Sequence, residues 1–154
     1  MTKNAYIIDL DGTLCDNSPR VQKYLLDVEP ADWDSFYAHC EEDTPIAPIC
    51  TLAVSLQQRG FDILFVTGRR ESCRQQTLNW IKSWLGEEMA DTNHLFMRTA
   101  EDGHREDYVC KMRNYRKHIE GKWHIFGVFE DRYQCVRAWR DLGLTCLQVA
   151  DGDY

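Results

Sequence analysis

The sequence predicts an α/β fold in which a parallel sheet carries helices on both faces. Three observations support this prediction: apolar runs of strand length, stretches of helical periodicity between them, and glycines where those stretches end. Neighbouring parallel strands need a long crossover connection, which an intervening helix provides. Because the carboxyl ends of such strands meet at one edge of the sheet, we expect a functional site there.

The chain begins with a predicted strand and a polar insert. The apolar run at residues 6–8 predicts a buried strand, and acidic residues and a glycine follow it directly. Residues 14–44 are polar, contain several aromatic side chains and have weak periodicity, so we expect a small insert. Short helices are expected within it at 21–26 and 33–39.

Helices and strands are predicted to alternate through the rest of the chain. Thr44 and Pro45 have the residue types of a helix N-cap and a first helical position, and apolar residues then recur at helical spacing until Gly60. Residues 63–66 form an apolar run that predicts a second strand. The later predicted elements are a helix ending before Gly86, a short strand at 95–97, a charged helix at 107–119, a strand at 124–129, a helix at 133–142 and a strand at 144–149.

Length and composition limit the functions to consider. A chain of 154 residues fits a single domain, residues 1–154, that buries about 70% of its unfolded surface. No apolar run is long enough to span a membrane and no secretory h-region precedes the first strand, so we expect a cytoplasmic protein without a membrane partner. The net charge of −7 disfavours broad attraction to nucleic acid, so contact with nucleic acid needs a local basic patch.

The cysteines do not predict a metal site or a disulfide framework. The chain has seven of them, an odd number, and no two are two or four positions apart. We therefore expect reduced and mostly buried thiols.

Three predicted strands are followed directly by residues capable of catalysis. Asp9 and Asp11 follow the first strand, Thr67 follows the second, and Glu130 and Asp131 follow the strand at 124–129. Each of these positions also has a plainer interpretation, as a turn or as a helix N-cap. At a period of two, Asp9 and Asp11 would point the same way if the chain stays extended between them. Two carboxylates that converge in this way repel by about 4 kcal/mol at about 4 Å and an effective dielectric near 20. We therefore expect a cation beside the first two acids.

The chemistry that suits these residues is phosphoryl transfer. Asp9 can attack phosphorus to form an aspartyl phosphate, while Asp11 can protonate the leaving oxygen and later deprotonate the attacking water. With Glu130 and Asp131, the two acids offer an all-oxygen shell, which favours Mg²⁺. Thr67 and the backbone amides after it can hold phosphate oxygens.

A positive charge near the phosphoryl group is expected from Lys111. This lysine lies four residues after Asp107 on a predicted helix, so the two side chains share one helical face. The plainer alternative is a surface ion pair worth a few tenths of a kcal/mol, which is about the usual size for such a pair.

In this order, the motifs resemble the four motifs of the haloacid dehalogenase (HAD) superfamily. The resemblance rests on Asp9-Leu-Asp11-Gly-Thr13, on Thr67 after an apolar strand, on Lys111 and on the acids that end a strand. It implies a HAD-like, Rossmann-like sheet with only a small cap insert, and a phosphatase with Mg²⁺ as cofactor. More narrowly, the chain is similar to the 3′-phosphatase domains of bacteriophage polynucleotide kinase/phosphatases, which implies a role in nucleic acid repair.

The narrower resemblance implies a set of substrate-binding residues. Arg20 has the spacing from the first aspartate that these domains give to a substrate arginine, and Thr67-Gly68-Arg69 matches their second motif. The substrate-binding residues implied in this way are Arg20, Gly68, Arg69, Arg98 and Asp107.

Two departures from this branch limit what is carried over. Glu130 stands where these domains usually have the first of two aspartates, which leaves open whether Glu130 or Asp131 contacts the metal directly. No Gly-x-x-x-x-Gly-Lys-Ser/Thr phosphate loop occurs, so no kinase domain is expected.

The resemblance implies the 3′ end of DNA or RNA as the substrate, and a small insert would leave the site open to such polymers. Six arginines are candidates for the basic patch: Arg20, Arg69, Arg70, Arg98, Arg105 and Arg132. Trp33, Phe36 or Tyr37 could stack a base, although core packing is the favoured expectation for all three. The alternatives are a nucleotidase acting on nucleoside monophosphates and a non-catalytic module that binds nucleic acid or metal.

Overall fold

The computed structural model describes residues 1–154. The strands are β1 (Lys3–Ile8), β2 (Cys15–Asp16), β3 (Thr44–Pro45), β4 (Asp62–Arg70), β5 (Leu95–Arg98), β6 (Trp123–Arg132) and β7 (Cys146–Gly152). The α-helices are α1 (Ser18–Val21), α2 (Trp33–Ala38), α3 (Ala47–Gln58), α4 (Arg74–Leu85), α5 (Asp107–Asn114) and α6 (Tyr133–Asp141). A π-helical turn extends α1 over Gln22–Leu26 and α5 over Tyr115–Ile119.

Five strands form one parallel sheet in the order β5-β4-β1-β6-β7. The chain builds outward from β1 in one direction through β4 and β5, and then in the other direction through β6 and β7. A reversal of this kind opens a crevice at the carboxyl ends of the central strands, which is where such sheets bind ligands. The predicted parallel sheet with helices on both faces is confirmed.

Two buried clusters lie on the two faces of the sheet. Ile8 and Phe65 pack on the side of α3 and α4, around Trp80, whereas Ile7 packs on the side of α6, around Trp139. Successive strand residues thus point to opposite faces, as a pleated strand requires. Each fully buried aliphatic side chain contributes about 1.5–3 kcal/mol, so the central strands hold the residues at their carboxyl ends in fixed positions.

The predicted start of the first long helix is wrong. Thr44 and Pro45 form the short strand β3, which pairs with β2 in antiparallel orientation. The amide of Ile46 then donates to Leu14 O at 2.7 Å, which keeps the chain extended, and α3 begins at Ala47 with Pro48 in its first turn. By local residue type, either Pro45 or Pro48 could occupy the first turn of the helix. The pairing of Thr44 and Pro45 with the distant β2 places Pro48 there.

The insert leaves and rejoins the sheet domain through the β2–β3 pair. It holds α1 with its π-helical extension and α2, close to the expected 21–26 and 33–39. All seven cysteines are free and buried, as expected. None of the helices has both the length and the apolar character needed to cross a lipid bilayer.

Candidate active site

A cleft of about 410 Å³ lies where the carboxyl ends of β1, β4 and β6 meet the insert. Nine of the predicted site residues line it: Asp9, Asp11, Thr67, Gly68, Arg69, Arg98, Asp107, Glu130 and Asp131. The other two, Arg20 and Lys111, are almost fully buried and contact Asp11 and Asp9, respectively. Every predicted site residue therefore either lines the cleft or contacts a residue that lines it.

Asp9 is fixed at the end of β1 by contacts on two sides. Its backbone N–H donates to Phe129 O of β6 at 3.0 Å. Its carboxylate accepts a hydrogen bond from Lys111 Nζ at 2.9 Å. Thr13 Oγ1 lies 3.2 Å from Asp9 Oδ2 and 3.1 Å from Asp131 Oδ1, so one hydroxyl bridges the two acids.

Lys111 lies at the centre of a buried group that we call the lysine cluster, which consists of Lys111, Asp9, Asp107 and Glu130. Its Nζ is 2.9 Å from Asp9, 2.8 Å from Glu130 and 3.2 Å from Asp107. Burial alone would lower the pKa of Lys111, but the three carboxylates outweigh burial and raise it well above its usual value. The lysine is therefore charged, and the predicted pairing of Asp107 with Lys111 is present.

The lysine cluster and its neighbour Asp131 carry more negative than positive charge. One oxygen from each of Asp9, Glu130 and Asp131 lies within 4.8 Å of the others. Burial, together with the neighbouring acids, raises the pKa of Asp9 and that of Glu130, although Lys111 opposes this effect. These oxygens fit a hard divalent cation such as Mg²⁺, which would compensate the buried negative charge of these acids.

The side chain of Asp11 belongs to a different group, the arginine cluster, which consists of Asp11, Asp43, Arg20 and Arg69. Asp11 Oδ1 accepts from Arg69 Nη2 at 2.7 Å, from Arg69 Nε at 3.0 Å and from Arg20 Nη2 at 3.0 Å. Burial would raise the pKa of Asp11, but the two guanidinium groups outweigh it and lower the pKa to about 2. The structure does not bring this carboxylate to the acids beside Lys111.

The turn after β1 explains why the two aspartates separate. The strand ends at Ile8, so the chain does not stay extended as far as Asp11. Gly12 follows with φ +81°, and a Cβ at this position would overlap the carboxylate of Asp131. Only glycine fits this backbone conformation without strain.

Asp43 is a site residue that the sequence does not single out. Its Oδ1 accepts from Arg20 Nε at 2.7 Å, and its Oδ2 accepts from Arg20 Nη2 at 2.7 Å and from Arg69 Nη2 at 3.1 Å. Trp80 Nε1 donates to the Asp43 carbonyl at 2.7 Å, which ties the end of the insert to α4. The sequence offers one indirect signal for Asp43: two buried arginines require a second carboxylate besides Asp11 to balance their charge. This requirement does not identify which acid provides that carboxylate.

Gly68 allows β4 to approach α5 closely. A Cβ at this position would overlap the carboxylate of Asp107. Arg98 Nε donates to Gly68 O at 3.2 Å, and Arg98 Nη1 donates to Arg105 O at 2.7 Å. Arg98 therefore joins the strand end to the loop before α5, a role distinct from direct contact with a phosphate.

Tyr154 is a second site residue that sequence patterns do not identify. Its hydroxyl donates to Asp131 Oδ2 at 2.6 Å. Arg132 Nε donates to Tyr154 O at 2.7 Å, and the Arg132 guanidinium carbon lies 4.9 Å from the centre of the tyrosine ring. Asp131 thus receives hydroxyl donors on both oxygens, from Thr13 and from Tyr154.

The predicted basic patch is largely committed to internal contacts. Arg20 and Arg69 are buried in the arginine cluster, and Arg132 pairs with Asp107 at 3.4 Å. Arg105 lines the cleft, is exposed and has no carboxylate within 4.0 Å. It is therefore the arginine in the cleft most available to a ligand.

The aromatic residues of the insert divide between core and surface. Phe36 is 5% exposed, which agrees with the favoured expectation of core packing. Trp33 is 46% exposed and lines the cleft, so core packing is the wrong expectation for this residue.

Comparisons with known proteins agree with this geometry. The family model described as the polynucleotide kinase PNKP phosphatase domain matches residues 3–154. A protein of Autographa californica nuclear polyhedrosis virus, named as a predicted bifunctional polynucleotide kinase/RNA ligase, is 35% identical over 92 residues, which are 60% of this chain and 13% of the viral protein.

Several solved structures share the fold. A chain in the Pnkp1/Rnl/Hen1 complex superposes with a TM-score of 0.81 at 27% identity and covers 99% of this chain, which in turn spans 47% of that chain. A second structure, described as the Pnkp1/Rnl/Hen1 RNA repair complex, superposes with a TM-score of 0.80 at 26% identity. The match covers 99% of this chain and 44% of the chain in that complex. The class C acid phosphatase from Bacillus anthracis has the same fold, with a TM-score of 0.74 at 18% identity and coverage of 99% and 68%. This chain thus spans less than half of the matched chain in each of the two Pnkp1/Rnl/Hen1 structures.

Proposed function

Since this chain belongs to the family of PNKP phosphatase domains and is a phosphatase of the HAD type, we propose that it removes the 3′-phosphate from DNA or RNA ends. The observation that carries the proposal is the position of Asp9, buried at the base of the cleft, 2.9 Å from Lys111 and grouped with Glu130 and Asp131. The names of the viral relative and of the RNA repair complex support a polynucleotide as the substrate.

The proposed reaction has two displacements at phosphorus. In the first, a carboxylate oxygen of Asp9 forms a bond to phosphorus, and the bond from phosphorus to the 3′ oxygen breaks. The electron pair leaves with the 3′ oxygen, which takes a proton from Asp11. In the second, water attacks phosphorus and gives a proton to Asp11, and the aspartyl phosphate bond breaks to release phosphate and restore Asp9.

Asp11 suits both proton transfers because only one of its oxygens is occupied. Oδ1 receives all of the arginine contacts, whereas Oδ2 receives no side-chain hydrogen bond and the residue lines the cleft. Without substrate, the low pKa keeps Asp11 ionised. A phosphoryl group bound beside Asp9 adds negative charge near Asp11, which raises the pKa of Asp11 so that it takes up a proton from solvent before the first displacement.

The residues that would hold Mg²⁺ are Asp9 and Asp131. Both oxygens of Asp131 contact neutral hydroxyls, which leaves its charge uncompensated. Glu130, in contrast, contacts Lys111 through Oε2 and the amides of Asp131 and Arg132 through Oε1. We therefore assign direct metal contact to Asp131 and the orientation of Lys111 to Glu130. The bound ion would neutralise charge on the phosphoryl oxygens.

The test compares phosphate release from three substrates: a 3′-phosphorylated oligonucleotide, the same oligonucleotide with a 5′-phosphate, and a 5′-mononucleotide. We expect kcat/KM to be highest for the 3′-phosphate by at least about tenfold, which corresponds to about 1.4 kcal/mol of transition-state discrimination. Preferential turnover of the mononucleotide would contradict the proposal and identify a nucleotidase. Asp9→Asn is the control for release that does not depend on the proposed nucleophile.

A further inference from the structure

The lining of the cleft divides into polar residues from the strand ends and apolar residues from the insert. Six of its 19 lining residues are hydrophobic, and all of these except Tyr154 come from the insert. The phosphatase chemistry uses none of these insert residues. The cleft therefore offers an apolar surface beside the reacting phosphate, and this surface needs a separate explanation.

Trp33 is the exposed part of this surface. It is the first residue of α2, and Asp32 caps the helix by accepting from Ser35 N at 3.0 Å. Its side chain is 46% exposed, while the neighbouring Phe36 is 5% exposed. An exposed indole in a cleft can bind a ligand through its face without displacing the core.

The indole of Trp33 is held in place by the aromatic rings of Phe36 and Tyr37. Its ring contacts Phe36 edge-on at 5.6 Å between centroids and lies 6.1 Å from Tyr37 at an angle of 28°. Phe36 is in turn covered by the Arg20 guanidinium carbon at 4.2 Å from its ring centre, and Arg70 covers Tyr37 at 4.9 Å. A ligand that stacks on Trp33 therefore meets a surface that is already ordered, which reduces the entropy cost of binding.

We propose that Trp33 stacks the 3′-terminal nucleobase of the substrate and that Arg105 contacts the next phosphodiester. This inference rests on the proposed function. A flat π-surface beside a phosphate site matches a nucleobase, and stacking accepts any base because every base has a π-face. Arg105 supplies the free positive charge that the preceding phosphate needs, since Arg20, Arg69 and Arg132 are already paired with acids.

The decisive experiment compares two 3′-phosphorylated oligonucleotides that differ only in whether the terminal nucleotide carries a base or is abasic. Stacking on an aromatic side chain is worth about 5- to 150-fold in affinity. We expect Trp33→Ala to raise KM for the base-bearing end by about 5-fold or more while kcat stays within about twofold. For the abasic end, the same variant should match the wild type. Trp33→Phe, which keeps a ring, should retain part of the preference.

Trp84→Ala is the matched control, because Trp84 is 51% exposed on α4 and does not line the cleft. It should leave both substrates unchanged. Arg105→Gln should weaken binding of both ends alike and reduce the slope of log affinity against log salt by about one.

Three results would overturn the inference. An equal loss on both ends for Trp33→Ala would show a general effect on the fold, and no loss on either end would show that the base lies elsewhere. Equally fast, Trp33-dependent hydrolysis of a phosphotyrosine peptide would identify an aromatic side chain as the occupant. A wild-type enzyme that leaves both oligonucleotides intact would instead overturn the proposed function, and this inference with it.

Discussion

The lysine cluster and the arginine cluster both bury charge beside the same cleft, but their balance of charge differs. The lysine cluster holds one cation among three carboxylates, with Asp131 next to it. The arginine cluster holds two guanidinium groups and two carboxylates.

This difference shows that buried charge can serve two purposes, the binding of a further cation and the fixing of a side chain in one position. Where acids are in excess, burial raises their pKa values, as at Asp9 and Glu130, and a further cation lowers the free energy of the group. Where the charges balance, the cluster is complete in the protein alone and holds Asp11 in one position. We therefore expect changes in the lysine cluster to affect activity and metal binding, and changes at the residues that support Asp11 in the arginine cluster to affect stability.

The largest expected effect is the loss of activity in Asp9→Asn. Removal of a catalytic nucleophile costs at least about 10⁴-fold in kcat. In metal-free buffer the melting temperature should stay the same or rise, because the substitution removes one of the mutually repelling acids. Phosphate release and thermal unfolding in a chelator measure the two effects, and Asp141→Asn, an exposed acid on α6, is the control. A large fall in melting temperature would contradict the division between the clusters.

The next largest effect is the loss of stability in Asp43→Asn. The substitution leaves two buried arginines with one carboxylate, and breaking a buried pair costs about 3–5 kcal/mol. Denaturant unfolding measures this loss, and Glu42→Gln, which changes the exposed neighbouring acid, should stay within about 0.5 kcal/mol of the wild type. An Asp43→Asn protein as stable as the wild type would show that Asp11 alone balances both arginines.

A smaller expected effect is stabilisation by Mg²⁺, which we propose to bind beside Asp9 and Asp131. At a concentration of 100 Kd, binding to the folded state adds about 2.7 kcal/mol. We expect Asp131→Asn to remove this gain and Asp11→Asn to retain it, as measured by thermal unfolding with and without the ion. Loss of the gain in Asp11→Asn would place that carboxylate among the metal ligands and join the two clusters into one site.

The smallest effect is the dependence of stability on acid pH. Asp11 has a pKa lowered from 3.8 to about 2 in the folded chain, so its contribution of about 2 kcal/mol is present above pH 4 and is lost as the pH falls towards 2. Asp9 and Glu130 act in the opposite direction, because a pKa raised by folding adds stability as the pH falls.

The difference between the wild type and Asp11→Asn isolates this contribution. Urea unfolding at a series of pH values should show the two proteins converging between pH 4 and pH 2. A constant difference across that range would contradict the low pKa of Asp11.

The sequence predicts those features that depend on local periodicity and on order along the chain. The apolar runs predict the strands because successive side chains point to opposite faces of the sheet, and both faces are buried. The order of the motifs along the chain predicts that Asp9, Thr67, Lys111 and Asp131 come together at the carboxyl ends of the strands. Asp43 and Tyr154 are missed because their partners lie 23 or more positions away and neither lies in a distinctive pattern. The side-chain directions of Asp9 and Asp11 also depend on the turn after β1, which a period of two does not describe.

The short β2–β3 pair gives this architecture a route to new specificities during evolution. It places both ends of the insert side by side, so lengthening the segment between them costs only about 0.6 kcal/mol for each doubling. Two anchors limit such variation, because Arg20 and Asp43 lie within that segment, Arg20 contacts both Asp11 and Asp43, and Asp11 is the proposed general acid. Descendants that keep these anchors could exchange the surface around Trp33, which we propose to recognise the substrate, and leave Asp9 and Asp11 in place.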